Sequence, residues 1–152
     1  MSCNSEEYVK YSTFCMKAKP EKDPWETEVH VHTVEEMIPE LAENLEKPDA
    51  AFFLACPGET PVGFAQCQLR RDYVEGTESS PVGYLEGIYV AELWRKQGLA
   101  KALLAACESW AKSKGCAEFA SDCELTNTQS LQFHLNAGFR EANRIICFTK
   151  KI

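Results

Sequence analysis

Three sets of residues in this sequence have types and spacings that can do chemistry. The first is Arg95-Lys96-Gln97-Gly98-Leu99-Ala100 with Lys101, directly after the apolar stretch YLEGIYV at 84–90. A strand that runs into a short loop and then a helix leaves the N–H groups of the first helical turn without intrahelical partners, and such a turn attracts anions. Glycine at 98 lets the backbone approach a ligand closely, and Arg95, Lys96 and Lys101 add positive charge. A diphosphate fits such a site. The spacing matches neither G-x-x-x-x-G-K-[ST] nor G-x-G-x-x-G; read by itself, Gly98 is a packing or helix-start glycine. The second set is Glu86, within an apolar strand, and Asp122, after Phe119-Ala120-Ser121. Acids in such settings bind a cation and accept a proton, or else form a buried structural ion pair. The third is histidine. His134 on a helix is either a proton donor or a structural residue. His30 and His32 have strand spacing but no third ligand, so no metal site is expected.

The elements that must position these residues can be read from periodicity and punctuation. Residues 5–18 have loose helical spacing, and 17–29 form a proline-containing loop around Trp25. Thr33 and Glu36 make a capping box for a helix to about residue 45, which Pro39 interrupts. Residues 50–56 and 62–71 read as two strands joined by the turn PGETP, and 72–83 as a loop. The strand at 84–90 is followed by a helix over 97–114. That helix sets Leu99, Leu103, Cys107 and Trp110 on one face and has Gly115 as its C-terminal stop. A short strand at 118–123 precedes a second capping box, Thr126 to Gln129, which opens a helix to about Ala137. RIICFT at 144–149 reads as a closing strand. The order is that of a single mixed α/β domain, residues 1–152, around a central sheet.

Charge and composition narrow the partners. Of the net charge of −7, all resides in residues 1–50, which hold twelve acids and five bases; residues 51–152 hold eleven of each. That balance opposes nucleic acid, which needs a basic footprint. It suits a cationic small molecule drawn in by a negative field, or merely keeps the chain soluble. The longest apolar run is the seven residues 50–56, far short of the roughly 20 that span a bilayer. The first fifteen residues have no apolar segment of a secretory leader. None of the eight cysteines forms a C-x-x-C pair. A reducing cytoplasm, with several cysteines acting as small core hydrophobes, is therefore expected.

The run R-x-x-G-x-A after a strand resembles the pyrophosphate loop of the GNAT superfamily of N-acetyltransferases. NTQSLQFHLNAGF at 127–139 resembles that group's second motif, an Asn followed by a helix ending in Gly-Phe. Over roughly residues 60–152, RRDYVEGTESSPVGYLEGIYV at 70–90 and EFASDCELTN at 118–127 are similar to the compact, dimeric aminoglycoside 6′-N-acetyltransferases of bacteria. The resemblance fades over the first 50 residues. It implies a mostly antiparallel sheet with one parallel strand pair splayed around acetyl-coenzyme A, flanked by helices, and a homodimer. It implies that Ile88, Tyr89 and Val90 pair with the pantetheine arm and that the N–H of Tyr89 polarises the thioester. It gives the pyrophosphate to Lys96, Gln97, Gly98, Leu99, Ala100 and Lys101 with Arg95 beside them, and the pantetheine to Asn127. Glu86 and Asp122 would face the amines of an aminoglycoside, with Trp25 and Tyr73 lining the sugar. Asn143 stands where relatives often carry an acid, and His134 where many carry the tyrosine that protonates the leaving thiolate.

Acetyl transfer needs a neutral amine, and most amines are protonated near pH 7, so a carboxylate that holds the cation and takes its proton is the chemistry required. Two other functions fit the same residues. One is an acetyltransferase acting on a polyamine, a protein lysine or an N-terminus. The other is a non-catalytic module that binds acetyl-coenzyme A.

Overall fold

A computed structural model describes residues 47–58 and 60–152. The expected helices over 5–18 and 33–45, Trp25, His30 and His32 lie outside the described residues. Strands β1 (Ala50–Ala55), β2 (Gly63–Arg70), β3 (Val82–Val90) and β4 (Phe119–Ser121) form one sheet in the order β1-β2-β3-β4. Helix α1 spans Leu99–Ser113 and helix α2 spans Thr128–Asn136, and a 3-10 turn at Glu92–Trp94 joins β3 to α1. The first two strand pairs are antiparallel and β3–β4 is parallel. This is the mixed sheet expected.

The apolar alternation of β2 dictates the packing. Ala65 and Cys67 point to one face and are fully buried, while Gln66 and Gln68 alternate with them. Leu103, Leu104 and Cys107 of α1 close on Ala65, Cys67, Leu85 and Val90, and Leu99 and Trp110 pack at the margin. Cys67 and Cys107 meet inside this core, where the hydrogen bond from Cys67 and burial push the Cys107 thiol far above its ordinary range. They act as the small hydrophobes expected. Gly83 sets how closely α1 can approach: a Cβ there would stand 2.5 Å from both Ala111 Cβ and Phe119 Cδ2.

Two expectations are corrected. The cap of α2 is Asn127 itself, whose side chain accepts from the Ser130 N–H at 3.0 Å, in place of Thr126 with Gln129. Asn, like Thr, competes well for an N-cap, and the position one residue later matches the turn. The closing strand at 144–149 is not formed. Residues 140–152 carry neither helix nor strand, and Ile145, Ile146 and Phe148 are 72%, 78% and 89% exposed. A β-prone segment becomes a strand only where a neighbouring strand satisfies its backbone, and no strand of this chain, among the described residues, lies beside it.

Candidate active site

The loop between β3 and α1 is built around two left-handed residues, Lys96 (φ 60°) and Gly98 (φ 84°). The first helical bond runs from Ala102 N–H to the Gly98 carbonyl at 3.0 Å, so the N–H groups of Leu99, Ala100 and Lys101 precede the helical ladder. No side chain caps this end of α1 and its first turn holds no acid. No heavy atom lies within 4 Å of where a Gly98 Cβ would stand. Gly98 is therefore present for its backbone conformation and the open space in front of it, and the packing reading falls away. Arg95 is partly tied down: its Nε donates to the Val90 carbonyl at 2.9 Å and its guanidinium lies 5.7 Å from the Tyr89 ring centroid. Gln97 donates to the Leu93 carbonyl at 3.2 Å. Lys96 and Lys101 are exposed.

The acids sit where the sheet changes register. Gln66 pairs with Gly87 and Cys67 with Leu85, so Glu86 is an extra residue, a β-bulge. On the other side, β4 pairs with β3 only over Gly83–Leu85. Beyond Leu85 and Ser121 the two parallel strands separate, and Glu86 and Asp122 are the first residues past that point. The Glu86 side chain is 22% exposed. Arg70 grips it from β2, with Nη2 at 2.8 Å from Oε1 and 3.1 Å from Oε2 and Nε at 3.2 Å from Oε1. Gln68 also donates to Oε1. The Arg70 Cζ lies 3.4 Å from the centroid of the Tyr84 ring, and the Tyr84 hydroxyl donates to Asp122 Oδ1 at 2.6 Å. Burial first, and then the bond to Asp122, push the Tyr84 phenol well above its ordinary range, so it stays a neutral donor. Burial works against the Arg70 charge, but the hydrogen bond and charge of Glu86 outweigh it. Asp122–Tyr84–Arg70–Glu86 is thus one continuous network, with Asp122 exposed.

His134 is held on both nitrogens. Nδ1 lies 2.7 Å from the Ser130 carbonyl, which can only accept, so Nδ1 carries a proton. Nε2 lies 2.9 Å from the Ser121 hydroxyl, itself 3.1 Å from the Leu85 carbonyl. Phe133 and Phe139 meet the ring edge-on. His134 therefore reaches across to β4, next to Asp122. Asn127 spends Oδ1 on capping α2, which leaves its NH2 to donate.

The remaining expected residues lie farther out. Tyr73 is 79% exposed and donates to Glu75 at 2.9 Å. Its loop is fixed by Glu118, whose Oε2 accepts from the N–H groups of Glu78 (2.9 Å) and Ser79 (2.7 Å) and from the Ser79 hydroxyl. Among the described residues no hydrogen bond or ion pair joins Asn143 to the acids; its Oδ1 accepts from the Arg144 N–H at 2.8 Å. Sequence reasoning missed Gln68, Arg70, Tyr84 and Ser121. The alternation of Gln68 and Arg70 along β2 was the available signal, but the bulge decides which acid they meet.

The chain matches the acetyltransferase (GNAT) family over residues 17–139. It is 48% identical over 113 residues to the aminoglycoside N(6')-acetyltransferase type 1 of Stenotrophomonas maltophilia, covering 73% of each protein. A solved structure of AAC(6')-Iy with the bisubstrate analogue CoA-S-monomethyl-acetylneamine is similar at a TM-score of 0.75 and 40% identity, over 80% of this chain and 82% of that one. A second, of the same enzyme with CoA, gives a TM-score of 0.76 at 40% identity over 80% of each chain.

Proposed function

The chain belongs to the acetyltransferase (GNAT) family, and from that premise we propose that it transfers the acetyl group of acetyl-coenzyme A to an amine of an aminoglycoside, the 6′-amine. The observation that carries this reading is the bulge at Glu86. It sets a carboxylate at the fork between β3 and β4, on the same strand that leads, a few residues on, into the uncapped, acid-free turn of α1. A carboxylate for a cation and an uncapped turn for an anion would thus be carried by β3 and by the loop and helix start that follow it. The named relatives act on aminoglycosides, and no feature of the site favours a polyamine or a protein lysine over them.

The residues present fit a coenzyme A diphosphate: Gly98 leaves open space before the first turn of α1, with Lys96 and Lys101 beside it. Ile88, Tyr89 and Val90 would run along the pantetheine arm, and the Asn127 amide would donate to it. When bound, acetyl-coenzyme A supplies a thioester whose acetyl carbon bonds to the amine nitrogen as its C–S bond breaks. Glu86 and Asp122 hold the ammonium and accept the proton it must lose. His134, whose Nε2 meets the Ser121 hydroxyl, would return a proton toward the departing sulfur by way of that hydroxyl. Tyr73, on the loop that Glu118 fixes, would line the sugar, with Asn143 at its edge.

We also propose a homodimer. Its support is the apolar stretch Ile145–Phe148, which among the described residues has no partner strand and which would be an aggregation hazard unless covered. A cytoplasmic setting accords with the free cysteines. The test is thiol release from acetyl-coenzyme A with a panel of amines. Aminoglycosides bearing a 6′-amine should turn over, and those with a 6′-hydroxyl, spermidine and a lysine peptide should not. Preferential turnover of spermidine or the peptide would overturn the reading.

A further inference from the structure

Both acids are already engaged, Glu86 through both oxygens and Asp122 through Oδ1. Glu86 Oε1 receives Gln68 and two Arg70 nitrogens, and Oε2 a single Arg70 contact at 3.1 Å. Asp122 Oδ1 receives the Tyr84 hydroxyl. Arg70 lies between them, bidentate to one acid and flat over the tyrosine that holds the other. The local charge is therefore −1, from two carboxylates and one guanidinium, where the acids alone would give −2.

We propose that Arg70 is a positioning residue of the acceptor site that acts through Glu86: by offsetting one carboxylate it weakens the grip on the ammonium form of the acceptor and so eases loss of the proton before acetyl transfer. This deepens the aminoglycoside reading and rests on it. The chemistry is general. A bare pair of carboxylates binds an ammonium tightly, but binding the ground state alone does not speed a reaction. The amine attacks only when neutral, and every added negative charge beside it keeps it protonated. A fixed cation lowers that cost while holding Glu86 by a fork that a lysine cannot copy. The titratable groups that face Arg70, among the described residues, are Glu86 and Tyr84 from β3 and Asp122 from just beyond β4.

The test is steady-state kinetics of R70Q and R70K in the full-length protein, with acetyl-coenzyme A and a 6′-amino aminoglycoside. R70Q should show an aminoglycoside KM at least about threefold lower with kcat about tenfold lower, and the acidic limb of its kcat–pH profile should move up by about one pH unit. The KM for acetyl-coenzyme A should stay within about twofold. R70K, which keeps the charge but not the fork, should recover kcat only in part. If R70Q does not fold, R70M keeps the stem against Tyr84 and puts the same question. A higher aminoglycoside KM with unchanged kcat, or no change in either constant, would overturn the proposal. If the wild-type protein acetylates another amine instead, the aminoglycoside reading fails, and the same split measured with that amine decides the role of Arg70.

Discussion

The Tyr84 hydroxyl and Asp122 Oδ1, 2.6 Å apart, join the third residue of β3 to the first residue past β4, beside the point where the pairing of the two strands ends. Replacing Tyr84 by Phe keeps the ring under Arg70 and frees the carboxylate. The aminoglycoside kcat/KM should fall about three- to tenfold, and unfolding in urea should show a loss of about 1 kcal/mol, typical of one hydrogen bond. Because the phenol is raised above its ordinary value of 10.0 in the folded chain, its contribution is complete below that pH and is lost as pH rises beyond it. Y84F should therefore remove part of the alkaline slope of stability.

Gly98 gives a two-part prediction. Gly98→Ala finds open space but an unfavourable φ, and should cost about 1 kcal/mol of stability. Gly98→Asp adds negative charge where the diphosphate approaches, and should weaken acetyl-coenzyme A by at least about tenfold, or roughly 1.4 kcal/mol. Calorimetry on both variants separates strain from charge.

Glu118 predicts a pH-dependent loop. The Ser79 hydroxyl and then the Glu78 and Ser79 N–H groups hold its carboxyl below the usual range. A depressed carboxylate stabilises the loop above its unfolded pKa, and that contribution vanishes as pH falls through the folded one. Relative to their intrinsic rates, the Glu78 and Ser79 amides should exchange fast once pH falls below the ordinary carboxylate range. Glu118→Gln should show the fast rates already at neutral pH, with a raised aminoglycoside KM through Tyr73.

The dimer proposal is tested by sedimentation. The chain of 17.1 kDa should run at about twice that mass at micromolar concentration. Ile146→Lys should shift it to the monomer, and an Ile146→Lys protein that stays dimeric would move the interface elsewhere.

Short apolar runs bounded by turn residues marked β1 to β4, and helical spacing marked α1, because burial on one face imposes those periods. α1 begins at Leu99, later than periodicity suggests, because Gly98 turns left-handed. The uncapped turn at Gly98 was legible because its geometry is backbone geometry and depends on neighbours in sequence. The acid network was not. Arg70 and Glu86 meet across a strand pair whose register shifts between Gln66 and Cys67, and register is not written in either strand alone, although a one-residue slip turns a side chain to the other face. Likewise 144–149 has strand composition, but composition cannot supply a partner.

The central claim is that Glu86 and Asp122 serve the acceptor amine and not coenzyme A. The direct measurement is kcat/KM for a 6′-amino aminoglycoside in Glu86→Gln and Asp122→Asn, with acetyl-coenzyme A affinity measured on the same preparations. Each amide keeps shape and removes charge. Each should lower kcat/KM by at least about a hundredfold while cofactor affinity stays within about threefold. Near-normal turnover in both variants, with cofactor still bound, would contradict the account.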